Sequence, residues 1–207
     1  MNFKKVTKIY IKERINGKIA KLADLVYKKT EIYFRCIDGD LYPLPKADLQ
    51  MVPMSQKTLV QMVQDFGSEI TAEKWQKLDS RLDPNSTERV YLVIEKEKTI
   101  MGFYCIKCGE FYDENTRCLF PAWDSNIYLF DAYTFIKHRN KGSQKFATLA
   151  LLAEGQRLGF KTATVMVNSA NKHSKTSVLK AGFKNRGAVH HLNVLIWKKN
   201  IYKEWSL

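Results

Sequence analysis

The 207-residue chain lacks any run of the ~18 apolar residues that a membrane-spanning helix requires, so no membrane contact is expected. Its opening residues, MNFKKVTKIYIKER, carry early lysines but neither an apolar signal core nor a cleavage site, and a cytoplasmic location is the default expectation. Cysteine is scarce, with only Cys36, Cys105, Cys108 and Cys118. Cys105-Ile-Lys-Cys108-Gly has the spacing of half a zinc knuckle, but a second CxxC or a histidine pair is missing. Residues 105 and 108 also fall in a predicted strand, where an i, i+3 pair points to opposite faces. The sequence therefore predicts reduced structural cysteines and no metal site. Acidic residues nearly vanish after residue 136. Residues 137–207 hold 14 Lys/Arg against 2 Asp/Glu, whereas 61–136 hold 8 against 13 and 1–60 hold 12 against 6. The net charge of +13 is thus concentrated, an arrangement suited to a polyanion that need not be nucleic acid.

What is present is organised around Ile127 to Phe183. Ile127–Ile136 (IYLFDAYTFI) is β-branched and aromatic, as a largely buried strand should be. The basic loop His138-Arg139-Asn140-Lys141-Gly142-Ser143-Gln144 follows and opens into a predicted helix, Lys145–Arg157. Its Phe146, Leu149, Leu152 and Ala153 recur at helical spacing, and Gly159 supplies a stop. A helix start leaves N–H groups unpaired and carries partial positive charge, which suits a pyrophosphate. Gly142 lets the backbone approach such a ligand, and Arg139 and Lys141 add charge.

Arg139-x-x-Gly142-x-Gln144 resembles the Arg/Gln-x-x-Gly-x-Gly/Ala loop of the GCN5-related N-acetyltransferases (the GNAT superfamily), which grips the pyrophosphate of acetyl-coenzyme A. The predicted strand Thr162–Val167 falls where that family has one. Asn171-x-x-Ser174-x-x-x-Val178-x-x-x-Gly182-Phe183 is similar to the family's Asn-x-x-Ala-x-x-x-Tyr-x-x-x-Gly-Phe. The chain departs from the pattern twice. Gln144 stands where a small residue is usual, and Val178 where many relatives carry a tyrosine thought to protonate the leaving thiolate.

The resemblance implies an α+β fold: a mixed, mostly antiparallel central sheet flanked by helices. Residues 47–207 would form this acyl-CoA-binding domain, and 1–46 a small β-rich N-terminal extension. The extension reads as short strands, Val6–Arg14, Lys18–Val26, Glu31–Ile37 and Leu41–Leu44, around the turn signals Asn16-Gly17 and Asp38-Gly39-Asp40. It either lengthens or covers the core sheet, or meets a substrate or partner. Beyond it, Asp48–Met54 reads as a strand. Ser55 and Thr71 are N-cap candidates for two helices with the stripes Leu59, Met62, Val63, Phe66 and Trp75, Leu78, Leu82. In the family that pair forms one wall of the acceptor site. Arg89–Glu95 and Thr99–Lys107 read as a hairpin. Cys108 to Asn126 lacks periodicity and is placed over the acceptor channel, with Tyr112 and Trp123 toward the substrate. Phe183–Arg186 and Val189–Lys198 close the domain.

By the same resemblance, backbone amides at Thr134, Phe135 and Ile136 hold the pantetheine and polarise the thioester. Arg139, Asn140, Lys141, Gly142, Ser143 and Gln144 hold the pyrophosphate, and Asn171 and Ser174 lie beside the coenzyme. The expected activity is transfer of an acetyl group from acetyl-CoA, as cosubstrate, to an amine on a small molecule, peptide or protein, in a monomer or homodimer. Asp131 shares a strand face with Tyr133 and Phe135. A carboxylate on an apolar strand is costly unless paired or exposed in a cleft. Asp131 is therefore a candidate base or amine-orienting group, with a structural hydrogen bond as the competing role and Glu110 in reserve. With no tyrosine at 178, the proton donor falls to Tyr133, Ser177 or water. The basic C-terminal half leaves open an acceptor carried on RNA, such as aminoacyl-tRNA, and the departures at Gln144 and Val178 leave open a non-catalytic binding module.

Overall fold

A computed structural model of the chain describes residues 27–39, 48–96, 98–114, 118–194 and 197–203, the last strands from 192 onward as backbone only. The strands expected at Val6–Arg14, Lys18–Val26 and Leu41–Leu44 lie outside the described residues. An eight-stranded sheet runs through the molecule, with the order β10-β9-β1-β8-β7-β4-β3-β2. Its strands are β1 (Tyr27–Cys36), β2 (Leu49–Pro53), β3 (Glu88–Glu95), β4 (Thr99–Cys108), β7 (Asn126–Thr134), β8 (Thr162–Asn168), β9 (Lys184–Val194) and β10 (Trp197–Lys203). Every pairing is antiparallel except β7 with β8. The helices are α1 (Gln56–Phe66), α2 (Ala72–Ser80), α3 (Ser143–Arg157) and α4 (Lys172–Lys180).

Period-two alternation assigns the two faces. Tyr91 and Val93 of β3 pack with Phe146, Leu149, Leu151 and Leu152 of α3, while Val90 and Leu92 pack with Leu59, Met62, Phe66 and Leu78 of α1 and α2. Helix α1 begins where Ser55 and Thr58 cap each other's backbone N–H groups, and its apolar positions fall on one stripe as the sequence predicts. Helix α3 is buried on nearly every side, including Ala147, Ala150 and Gly155, which marks it as the central packing element. Fully burying each of its Leu and Phe side chains stabilises the fold by roughly 1.5–3 kcal/mol.

Three elements differ from expectation. Glu31–Ile37 belongs to an interior strand rather than to an appendage: β1 pairs with β8 along one edge and with β9 along the other. Within residues 1–46, the described segment 27–39 thus supplies a strand of the main sheet. Its Tyr33 is buried among α3-side residues and Ile32 on the opposite face, an alternation that only a two-sided interior strand satisfies. Second, the stretch between Cys108 and Asn126 contains a hairpin of β5 (Phe111–Asp113) and β6 (Cys118–Phe120). Three-residue strands are too short to show periodicity in sequence. The hairpin lays Phe111, Cys118 and Phe120 over Tyr128, Ile32 and Val189. At the C-terminus, β9 runs unbroken through Gly187 from Lys184 to Val194, where the sequence predicts two strands, Phe183–Arg186 and Val189–Lys198, and Trp197 and Lys198 belong to β10.

Candidate active site

Strands β7 and β8 pair only from Asn126–Leu129 with Thr162–Val165. Beyond that point each strand continues, β7 to Thr134 and β8 to Asn168, without pairing to the other. The sheet opens between them, and the basic loop and α3 begin at the end of β7. A bulge shapes the opening side of β7. The register against β4 shifts between Phe103 and Cys105, and Asp131 adopts a left-handed φ of 46°. Phe130 and Asp131 consequently approach the same face, where both meet Arg81 of the α2 C-cap.

The loop holds its shape through backbone conformation. Asn140 and Gly142 have φ values of 62° and 80°. Left-handed residues in a turn bring N–H groups toward its concave side and form an anion-binding nest. Gly142 is the N-cap of α3, offers no side chain to the first N–H groups, and is followed by no acid in the first turn. Helix α3 starts at Ser143, two residues before the predicted start. The Tyr104 hydroxyl joins Thr134 Oγ1 at 2.7 Å, tying the end of β7 to β4. The Thr134 side chain is thus engaged inward and Ser143 is buried, so both can serve a ligand through their backbones. Phe135 donates its N–H to Met101 O of β4, which turns the Thr134 amide toward the opening by strand alternation. Arg139 Nε donates to Thr134 O, its guanidinium lies 5.6 Å from the Tyr133 ring centroid, and Lys137 covers Phe66 at 4.4 Å. Gln144 is half-buried, and Lys141 is exposed at the rim. His138 is buried beneath the loop, and neither ring nitrogen meets a hydrogen-bond partner among the described residues. Burial, then the charges of Lys141 and Lys137, lower its pKa and keep it neutral. Asn171, across the opening, caps α4 by accepting the Ser174 N–H at 3.0 Å. Val178 is buried in the core, so no hydroxyl projects from that position of α4. A left-handed loop, an uncapped helix start and a cationic rim fit a diphosphate.

The opposite wall is built from side chains. Asp131 accepts from Lys74 Nζ and Arg81 Nη1; Arg81 also pairs with Glu88 at 2.7 Å, and Glu88 with Lys107 at 3.2 Å. Burial would raise the Asp131 pKa, but bonds and charges from Arg81 and Lys74 outweigh it and hold the carboxyl below its ordinary range. Asp131 is therefore firmly anionic. Tyr133 and Phe135 do share its face. Phe135 stacks on Phe66 of α1 at 3.7 Å, and Tyr133 donates its hydroxyl to Glu69 Oε2 at 3.1 Å. Burial, then Glu69, raise the Tyr133 pKa, so the phenol stays protonated. The Ile136 N–H also goes to Glu69 Oε2, at 2.9 Å. Glu69 was not among the residues singled out from sequence. Its one signal there is its place just after the helix stop Gly67-Ser68, in the turn of the helix pair assigned to the acceptor wall. Lys74, Arg81 and Tyr104 carried no such signal. Tyr112 is exposed on the hairpin's outer side, whereas Trp123 packs against Tyr128.

Cys105 lies in the α1/α2-side core while Cys108 packs against the α3-side core, on opposite faces as the i, i+3 spacing predicts. Among the described residues no group of three or more His, Cys, Asp or Glu gathers to hold a metal. Among them, too, no helix is long and apolar enough to cross a membrane. A separate cavity of about 380 Å³ lies at the far end of the sheet, lined by Arg35, Cys36, Asp38, Lys184 and Arg186. Cys36 pairs with Thr162 and Thr30 with Asn168, which places this cavity at the opposite end of the strands from the loop.

No protein-family model and no curated protein matches the sequence. Solved structures match the fold. A GCN5-related N-acetyltransferase from Sphaerobacter thermophilus superposes with a TM-score of 0.55 at 14% identity, covering 93% of this chain and 59% of that one. AAC(6')-Iy, in complex with the bisubstrate analogue CoA-S-monomethyl-acetylneamine, superposes at 0.53 with 13% identity, over 73% of this chain and 97% of its own. A conserved protein of unknown function from Staphylococcus epidermidis gives 0.57 at 11% identity, over 86% and 67%. The chain spans about three fifths of the length of several such structures. The fold is that of the GCN5-related N-acetyltransferases: a large, mostly antiparallel α+β sheet flanked by helices.

Proposed function

We propose that the chain is an N-acyltransferase that moves an acetyl group from acetyl-CoA to an amine on a small molecule, peptide or protein. The observation that carries this reading is the opening between β7 and β8, which ends at the left-handed Gly142 N-cap of α3. The solved complex of AAC(6')-Iy with a CoA bisubstrate analogue supports it by likeness of fold. Arg139 to Gln144 would hold the pyrophosphate, mainly through backbone amides and cationic side chains. The Thr134, Phe135 and Ile136 segment would line the pantetheine, with Asn171 and Ser174 across the opening. In direct transfer the amine nitrogen attacks the thioester carbonyl carbon; the C–S bond breaks, and one proton passes from nitrogen to sulfur. Tyr133, protonated and at the end of β7, is the proton donor we assign to the departing thiolate, in place of the tyrosine absent at 178. Asp131, locked between Lys74 and Arg81, is a positioning residue that fixes α2 against the bulge. Isothermal titration with acetyl-CoA tests the reading. Saturable binding is expected, and its absence would refute it.

An acceptor carried on RNA is a second reading, favoured by the cavity between Arg35, Lys184 and Arg186. Phosphate contacts release counterions, so RNA affinity would fall steeply with salt. A flat salt response would remove it.

A further inference from the structure

The geometry points to Glu69 as a gate on the acyl donor: a carboxylate that occupies the Ile136 amide in the free protein and that a thioester must displace. The inference rests on the acyltransferase reading above and concerns the same opening.

The turn that carries Glu69 is fixed. Its N–H donates to Phe66 O at 2.8 Å, and the Phe66 ring stacks on Phe135 at the end of β7. The side chain, half-buried, reaches the end of that strand. There Oε2 receives both the Tyr133 hydroxyl and the Ile136 N–H. Four other carboxylates on this wall have cationic partners. Asp131 is held by Lys74 and Arg81, Glu88 by Arg81 and Lys107, and Glu73 and Glu114 by Lys77. Among the described residues Glu69 pairs with no lysine or arginine, and its partners are neutral donors.

One amide hydrogen cannot serve a carboxylate oxygen and a thioester carbonyl at full strength. An acyl donor that takes the Ile136 N–H therefore breaks one of the two bonds holding Glu69, leaving the Tyr133 hydroxyl as tether. A carboxylate so released, beside the opening, carries a negative charge that forms no ion pair in the free protein among the described residues. It is where an incoming ammonium would settle and pass one proton to the Glu69 carboxylate. Donor binding would thus precede and create the amine site.

Free CoA lacks the thioester carbonyl, and this separates the gate from general effects on the coenzyme cradle. Isothermal titration is carried out on the wild type, Glu69→Ala and Glu69→Gln, each with acetyl-CoA and with CoA. A hydrogen bond to a charged acceptor is lost on displacement only in the wild type, so Glu69→Ala should bind acetyl-CoA about ten-fold tighter. CoA affinity should change by less than about two-fold, because no carbonyl contests the amide. Glu69→Gln, which keeps size and a neutral acceptor, should fall between. Equal changes for both ligands, or no change for either, would overturn the gate while leaving the acyltransferase reading intact. Failure of every variant and the wild type to bind either ligand would overturn both.

Discussion

The two walls of the opening are made by different means. The donor wall, from Thr134 through α3 to the cap of α4, presents backbone: left-handed Asn140 and Gly142, an uncapped helix start, and amides at the end of β7. The acceptor wall, from α1 and α2 to the bulge, presents side chains joined across long sequence distances. Lys74 meets Asp131 over 57 residues, Arg81 meets Asp131 over 50, and Tyr133 meets Glu69 over 64. A backbone cradle must be written locally, because only particular residues allow a given turn. A side-chain network can be assembled from any elements that the fold brings together. Under the proposed function, one wall would serve a ligand common to many proteins, and the other whatever amine this chain accepts.

The sharpest way to break the donor wall alone is Gly142→Glu. It places a bulky acid at a φ of 80°, where an L side chain is strained, and sets a negative charge against a phosphate. Acetyl-CoA binding should fall below detection by titration calorimetry, at least about a hundred-fold. The acceptor-wall network should persist, with cooperative unfolding retained. Normal binding by this variant would move the pyrophosphate away from the loop.

Gly102→Val strikes the seam shared by both walls. A Cβ at 102 would stand 2.2 Å from the Tyr133 carbonyl oxygen and 3.0 Å from Thr134 Cα, and backbone cannot yield as a side chain does. Strand β4 must separate from β7 just where the bulge resets its register. The expected loss is about 3 kcal/mol in urea unfolding, the upper end for overpacking, together with weakened acetyl-CoA binding. An effect on stability without one on binding would show that the end of β7 is positioned independently of β4.

The same contrast explains what was legible in the sequence. The Arg139–Gln144 loop, the strand before it and the capped stripes of α1 and α2 could be read because turn chemistry and periodicity are local signals. Strand β1 could be recognised as a strand through its β-rich Glu31–Ile37, but not placed. Its interior position depends on pairing with β8 and β9 more than 120 residues away in sequence, which no local pattern encodes. Asp131 stood out because an acid on an apolar strand demands compensation, yet its partners Lys74 and Arg81 look like ordinary solvated residues of a helix. Glu69 lies in a turn, where an acid attracts no notice, and only the stacking of Phe66 on Phe135 brings it to the strand end.

Asp131→Asn tests the acceptor wall with little change of shape. It removes the charge that offsets Lys74 and Arg81, and it should cost about 2–3 kcal/mol, less than for a fully buried pair because Lys74 is partly exposed. Acetyl-CoA affinity should be unchanged. The folded-state pKa is depressed, so this contribution is complete above the unfolded value of about 4 and is lost as pH falls from there through the folded pKa. Wild-type stability should therefore drop on acidification below about pH 4 more steeply than that of the variant. Parallel curves would show that the ion pair adds nothing across that range.

The smallest effect is expected at Gly155→Ala, which alters the donor-wall helix far from its cradle. Alanine should gain about 1 kcal/mol in helix propensity. Against this, its Cβ would stand 2.4 Å from Ile127 Cδ1 and 3.2 Å from Ile37 Cδ1. Both are the ends of flexible side chains, but Ile127 is fully buried and its methyl has packed neighbours on all sides. Displacing it should cost about 2 kcal/mol, the middle of the range for an inserted methyl group. The net loss is then about 1 kcal/mol, measurable by urea unfolding. Acetyl-CoA affinity should not move, because Gly142 and Ser143 lie at the other end of the helix. A fall in affinity would mean that α3 transmits strain along its length and that the cradle is less self-contained than its local turn chemistry implies.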